Sequence, residues 1–473
     1  MRVNLIAVVA DPVGAHRYDR GMPSAENRPS VLSAIEDAAR HPRPVWGSER
    51  AYVLATIAGV VGLGNVWRFP YMAGLHGGGS FVLAYVVCVA IMAVPLATVE
   101  SVAGGLVRRS PVGTLRAAAG RWGGVLGWLV VGMTVAIMSY YLVVTGWTFG
   151  YLLDALRGRL TTFGEFTSGL ASLWLMLAVG LMLLAVVSLG VKSIERASLY
   201  AVPVLVGIVV ALAVYAQSLD GADQARAFLF GLDGDRLSDP ATWRAAAGQA
   251  FYSLGIGQGV LIAYGSFVPA GTNILRSTTA VALTNSAVSI ISGLLVFSIV
   301  FTFGIPPAAG SELSFTAFPR VFGQMAGGEW VAVVFFGLLF LAGFTSCIGG
   351  TVVVMSAIRD EVGVGRAAAW TVGLIAVLGV PSAVSFTGIG LRVGDAPFLD
   401  WLDQLTGAGA IVVIGLLGAA VLARSLPRRR LVAASGVDPI RLGRLSLGSD
   451  LVFRWAVTLP PLVVVAYVIA AIL

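Results

Sequence analysis

The chain has 473 residues, of which 57% are hydrophobic and only 12% charged, with a mean hydropathy of +0.88. A soluble protein carries roughly 25% charged residues, so this composition excludes a water-solvated globular chain and describes one solvated largely by lipid. The net charge of +7 does not mark a nucleic-acid binder, because the arginines gather in loops between apolar spans, as the positive-inside rule requires.

Residues 1–44 form a polar leader containing arginine and proline. Its apolar piece, Val3 to Ala10, is shorter than a secretory core and runs into charges, so it reads as a disordered cytoplasmic leader, with Met22 a second candidate start. Windows of ~20 apolar residues mark membrane spans. They fall near 50–70, 81–107, 125–153, 171–189, 199–217, 243–268, 277–304, 330–358, 367–386, 398–422 and 451–473, about eleven in all. Arg108, Arg109, Arg116 and Arg121 follow the second span, Lys192 and Arg196 the fourth, and Arg424 with Arg428, Arg429 and Arg430 the tenth. Asp220, Asp223, Asp233, Asp235 and Asp239 lie in an opposite loop. This bias places the N-terminus in the cytoplasm and the C-terminus outside a cell (inner) membrane. Residues 311–324 read as an external loop with a short helix, a candidate lid. Cys88 and Cys347 lie inside apolar segments, where they pack rather than bridge loops.

Two spans are broken by glycine. Gly62-Leu-Gly-Asn-Val-Trp-Arg-Phe-Pro70 interrupts the first with two glycines, an asparagine and an arginine, and Ser253-Leu-Gly-Ile-Gly-Gln-Gly259 interrupts the sixth. Hydrocarbon offers a backbone no hydrogen-bond partners, so such breaks are tolerated only where the freed groups line a protein-enclosed cavity or hold a ligand. Two breaks five spans apart fit an inverted repeat with a binding site between the repeats, the pattern of a secondary transporter.

With these residues the chain resembles the neurotransmitter:sodium symporter family from about Arg43 to its end. The likeness rests on the 62–70 run and on Gly77-Gly-Gly-Ser-Phe81, Tyr140-Tyr141, Gly248-Gln-x-Phe251, Asn285 and Ala342-Gly-x-Thr-Ser346, in the family's order. The short loop after the third span is similar to that of bacterial members. The resemblance implies an all-α polytopic membrane protein with an inverted five-plus-five helix repeat. Residues 45–217 would form the first repeat and 218–425 the second, followed by a basic cytoplasmic loop (426–450) and the eleventh span (451–473). The implied function is sodium-coupled import of an amino acid by alternating access.

Carried over by matching positions, one sodium site would use the Val60 carbonyl, Asn65, Ser253 and Asn285, completed by the substrate carboxylate. A second would use the carbonyls of Ala58, Val61 and Ala342 with the hydroxyls of Thr345 and Ser346. Sodium is a hard cation, and oxygen ligands suit it. The substrate carboxylate would lie on the N–H groups of Leu63 and Gly64, at the positive end of a half-helix, with Tyr141 donating to it. Gly62 stands where monoamine carriers have an aspartate, which favours an amino acid. Ile137, Tyr252, Gly255, Gln258, Ser346 and Gly350 would frame the side-chain pocket, the two glycines removing bulk and Gln258 adding an amide.

Arg68 is costly at depth unless paired, and its matched partner is Asp403; with the rings of Tyr252 and Tyr141 this pair would close the outer side. Arg43 and Asp360, with Trp46 beside them, would close the inner side. Glu100, inside the second span, is expected in its neutral form against the unwound backbone of the sixth. Tyr85, Gln249, Ser253, Asn285 and Ser289 match a chloride cage, which makes Cl- a second expected ion beside Na+. The lipid bilayer and an amino acid are the expected partners, with no nucleic acid; a homodimer stays open. A membrane sensor that binds without transporting, and an ion channel, are the alternative readings. A channel would want charged rings, and an enzyme a nucleophile–base or metal set, whereas two of the three histidines (His16, His41, His76) lie in the leader.

Overall fold

The computed structural model describes residues 31–40, 45–159, 161–307, 315, 318–323, 327–435, 440–442, 445–447, 454–458 and 462. Residues 31–40, assigned above to the disordered leader, are instead a helix, α1 (Val31–Arg40). The sequence places apolar residues at 31, 34, 35 and 38, one stripe of a helix, and Ala34 and Ile35 are buried.

The first span bends by 53° between α2 (Glu49–Val60) and a π-helical turn, Gly64–Arg68, that continues into α3 (Phe69–Leu75). The second span is α4 (Gly79–Cys88), a π turn (Val89–Ala93) and α5 (Val94–Val107). There follow α6 (Pro111–Leu156), α7 (Ala171–Ser188) and α8 (Val191–Ala216). The sixth span comes as two pieces, α10 and α11, after an outer helix α9 (Ala222–Phe230): α10 is Pro240–Leu254 and α11 is Val260–Gly265. The remaining spans are α12 (Ile274–Thr302), α13 (Gly328–Val362) and α14 (Val364–Ala383), then α15 (Phe398–Asp403), a π turn (Gln404–Ala410) and α16 (Ile411–Ser425). Among the described residues eight helices are long and apolar enough to cross a membrane, or nine with the bent first pair. The pieces of the sixth span, 15 and 6 residues, are each too short to count alone, and the expected eleventh span lies almost wholly outside the described residues.

The pieces of the two broken spans pair crosswise. α10 packs on the 64–68 turn and α3, whereas α11 packs on α2. The first half of one span therefore meets the second half of the other, which makes the two antiparallel. Around them α6 and α13 form the most extensive helix–helix contact in the molecule, and α7 and α14 brace that pair from outside. This wall faces both breaks.

Candidate functional site

At the first break α2 stops at Val60, and Val61 turns extended (φ −81°, ψ 110°). The freed groups find side chains. The Gly62 N–H donates to Asn65 Oδ1 (2.9 Å), and the Leu63 N–H to the Tyr141 hydroxyl (2.8 Å). Ser346 Oγ donates to the Val61 carbonyl (3.5 Å), and Gln249 Nε2 to that of Gly64 (2.7 Å). A Cβ at 62 would fall on Ser346 Oγ and the Tyr141 hydroxyl, so the position admits no side chain.

At the second break Gly255, Gly257 and Gly259 take φ of 65°, 78° and 76°, a region that costs other L-residues roughly 1–2 kcal/mol each. The Gly257 N–H donates to Glu100 Oε1 (3.0 Å), and Thr134 Oγ1 donates to the Gln258 carbonyl (2.7 Å). Glu100 Oε2 is buried with no hydrogen-bond partner among the described residues.

Between the breaks lies a cavity of ≈ 30 Å³. Of the residues assigned to the substrate and ion sites, Val60, Gly64, Ile137, Tyr141, Tyr252, Ser253, Gly255, Gln258, Ser346 and Gly350 line it; Gly62 and Leu63 do not. Gly59, Met138 and Val260 line it as well. Gly255 and Gly350 both line the cavity, as expected of pocket residues. Gly255 is there for its backbone, since a Cβ would find only ordinary contacts at 3.5 Å, and the Met138 sulfur occupies the place beside Gly350. Methionine fills irregular gaps readily. Gln258 leans on the Tyr252 carbonyl through Nε2 (3.4 Å).

Beside the cavity the first set of matched oxygen donors comes together. Asn65 Nδ2 lies 2.8 Å from Asn285 Oδ1, 3.0 Å from the Asn285 carbonyl and 2.9 Å from Ser289 Oγ. Three oxygens thus converge on one electropositive group, in surroundings fully shielded from water. Asn285 Nδ2 reaches Ser253 Oγ (3.0 Å) and the Tyr85 hydroxyl (3.3 Å), and Tyr85 lies 3.4 Å from Ser253. Among the described residues no cluster of histidine, cysteine or carboxylate suits a transition metal; a cradle of neutral oxygens suits a hard monovalent cation. Gln249, assigned to the chloride cage, accepts from Arg68 at Oε1 (2.7 Å) and donates through Nε2 to the Gly64 carbonyl (2.7 Å). The pull of a buried guanidinium outweighs that of neutral hydroxyls. For the second set, Thr345 Oγ1 bonds back to Leu341 (2.9 Å) and Ala342 (3.2 Å), and Ser346 reaches Val61. Ala58 is buried on α2, which packs on α13.

Above the cavity Arg68 and Asp403 pair at 3.8 Å, and the guanidinium lies 4.6 Å over the Tyr252 ring. Tyr140, rather than Tyr141, completes this layer, donating to Asp403 Oδ1 at 2.7 Å, with Tyr71 at 3.5 Å from Oδ2. Tyr141 faces the cavity because the next residue along a helix turns by about 100°. Above them Phe315 is buried between Trp67 and Trp147. Below the cavity, Trp46 donates through Nε1 to the Tyr264 carbonyl (3.1 Å) and through its N–H to that of Phe267 (2.8 Å). Arg43 and the Asp360 side chain lie outside the described residues.

An enclosed site at two helix breaks, shut above and below by separate layers, defines a membrane transporter rather than an enzyme. The chain matches the profile of the sodium:neurotransmitter symporter family over residues 43–162 and 156–434, and it belongs to that family of sodium-dependent transporters. It is 31% identical over 359 residues to the sodium-dependent transporter YhdH of Bacillus subtilis, spanning 73% of this chain and 79% of that one. It is 28% identical over 414 residues to a sodium-dependent transporter of Haemophilus influenzae, spanning 79% and 89%. Its fold matches the crystal structure of MhsT in complex with L-phenylalanine with a TM-score of 0.84 at 28% identity, covering 91% of this chain and all of that one.

Proposed function

We propose that the protein imports an amino acid across the cell membrane, coupled to two sodium ions and assisted by chloride, with its N-terminus in the cytoplasm. The observation that carries this reading is the adjacency of the Leu63–Gly64 backbone, the neutral oxygen cradle of Asn285 and Ser289 around Asn65 with Ser253 beside it, and a pocket that admits no side chain at 62. An α-carboxylate on Leu63 and Gly64 would lie beside a cation in the cradle, and each would offset the desolvation of the other. Tyr141 already accepts from Leu63, and its hydroxyl hydrogen is the one to donate to that carboxylate. The phenylalanine bound by MhsT supports an amino acid as the class of substrate. Tyr85, Ser253, Asn285 and Ser289 present hydroxyl and amide donors next to the cradle, where an anion would balance its charge.

The test is uptake by the purified protein in proteoliposomes, with each of the twenty amino acids, in sodium or choline and in chloride or gluconate. Uptake of at least one amino acid only with sodium is expected, and it falls when gluconate replaces chloride. Equal uptake in choline and sodium would overturn the sodium assignment, and full activity in gluconate the chloride one.

A further inference from the structure

The 46 residues of α6 are far more than the roughly 20 that cross a bilayer. The surplus is resolved at Ala119 (φ −136°, ψ 26°) and Gly120 (φ 60°, ψ −138°), where the chain doubles back. Gly120 permits the left-handed turn, and glycines then let the returned segment lie flat. A Cβ at Gly127 would come within 2.5 Å of Val112 Cα, and one at Gly123 would overlap the Leu115 carbonyl. A Cβ at Gly124 would stand 2.9 Å from Arg116 Nε, so the Arg116 side chain is laid across bare backbone.

This hairpin builds a cavity of ≈ 430 Å³, distinct from the site between the helix breaks. It is lined by Arg116, Gly120, Arg121, Gly124, Val125 and Trp128. Arg116 and Arg121 enter it from either side of the turn, and no carboxylate among the described residues pairs with either. Arg121 also lies 5.1 Å over the Trp122 ring. Its apolar lining, Val125 (51% exposed) and Trp128 (48%), is continued on the surface by the neighbouring Trp122 (67%) and Leu129 (53%). Tryptophans at the head of a span mark the headgroup level of a membrane.

We infer that this cavity binds the headgroup of an anionic phospholipid, its phosphodiester held between Arg116 and Arg121 and its acyl chain lying along Val125, Trp128 and Leu129. Guanidinium groups match phosphate oxygens in charge and in fork geometry. Two uncompensated positive charges select a net negative headgroup over a zwitterionic one, and the apolar wall selects a lipid over free phosphate. The ligand would tie the returned segment of α6 to the membrane plane beside the loop arginines.

Native mass spectrometry of the full-length protein in detergent, titrated with phosphatidylglycerol or phosphatidylcholine, tests this. Two basic side chains near a membrane surface together favour an anionic lipid about 25-fold, and a preference of that order is expected for the natural protein. R116Q/R121Q abolishes the preference, whereas R116K/R121K, which keeps both charges, retains most of it. R157Q/R159Q, which removes two exposed arginines elsewhere, leaves it intact. Equal preference in R116Q/R121Q and the natural protein, or equal loss in R157Q/R159Q, would overturn the site. Displacement of phosphatidylglycerol by millimolar inorganic phosphate would overturn the lipid assignment in favour of a soluble phosphate.

Discussion

Asn65 is the residue on which most of the proposed chemistry turns. It caps the broken backbone through Oδ1 and faces three oxygens through Nδ2. Asn65→Ala removes both functions, and a lost hydrogen-bond-strength contact to a charged group is worth about 1.5–3 kcal/mol. Apparent sodium affinity, read from sodium-dependent uptake, is expected to fall by about tenfold or more. Ser289 Oγ is one of those oxygens, and Ser289→Glu places a fixed negative charge beside the cradle; it should sustain uptake in gluconate where the natural protein slows. Met138 sets the size of the pocket. Met138→Ala is expected to destabilise the protein by about 2–5 kcal/mol while shifting preference toward bulkier amino acids, which a thermal-shift comparison across side-chain sizes will resolve. Unchanged preference would remove Met138 from the specificity wall. The sequence announced Asn65 and Arg68, because polar groups in an apolar run need a reason. It did not announce Met138, which looks like any core residue, nor the turn of Gln249 toward Arg68, which is decided by a partner 181 positions away.

Among the elements, the two breaks and their closing layers work as units. Glu100 secures the second break through Gly257. Glu100→Gln keeps the acceptor and, for a neutral acid, preserves sodium-driven uptake, whereas Glu100→Ala strands the Gly257 N–H and abolishes it; equal loss in both would assign Glu100 a charged role. The outer layer predicts a second pattern. Arg68→Ala leaves Asp403 buried without its cation, a change of about 3–5 kcal/mol, and should hold the outer path open. A cysteine introduced into the cavity wall would then be labelled from outside by an impermeant reagent faster than in the parent, and labelling at the parent rate would show that the pair does not seal that path. The glycine breaks were legible because lipid punishes an unsatisfied backbone. The helix at 31–40 was less so, since its apolar stripe is short and surrounded by polar sequence, and the reversal at Gly120 hides inside a run that reads as uninterrupted helix.

For the molecule as a whole, the cradle contributes no protein carboxylate, so under the proposed coupling each sodium ion would carry its charge across uncompensated by the chain. One elementary charge moving through ~100 mV is worth about 2.3 kcal/mol, and two add roughly 4.6. Uptake is therefore expected to be electrogenic, accelerated by an inside-negative potential set with potassium and valinomycin; a rate indifferent to potential would show that another ion travels back. The crosswise pairing of the broken spans gives both closing layers a share in the same two helices, since Arg68 follows one break and Trp46 leads into the other end of that span.

The alternation at 255–259 has a consequence for how such a protein changes over time. Gly255, Gly257 and Gly259 all hold conformations that side chains resist, while Ile256 and Gln258 between them do not. Constrained backbone and unconstrained side chain are thereby written on separate letters of one five-residue word. A saturation library should show the three glycine positions frozen, so new substrates can be explored at Gln258, which lines the cavity, without disturbing the turn that holds it.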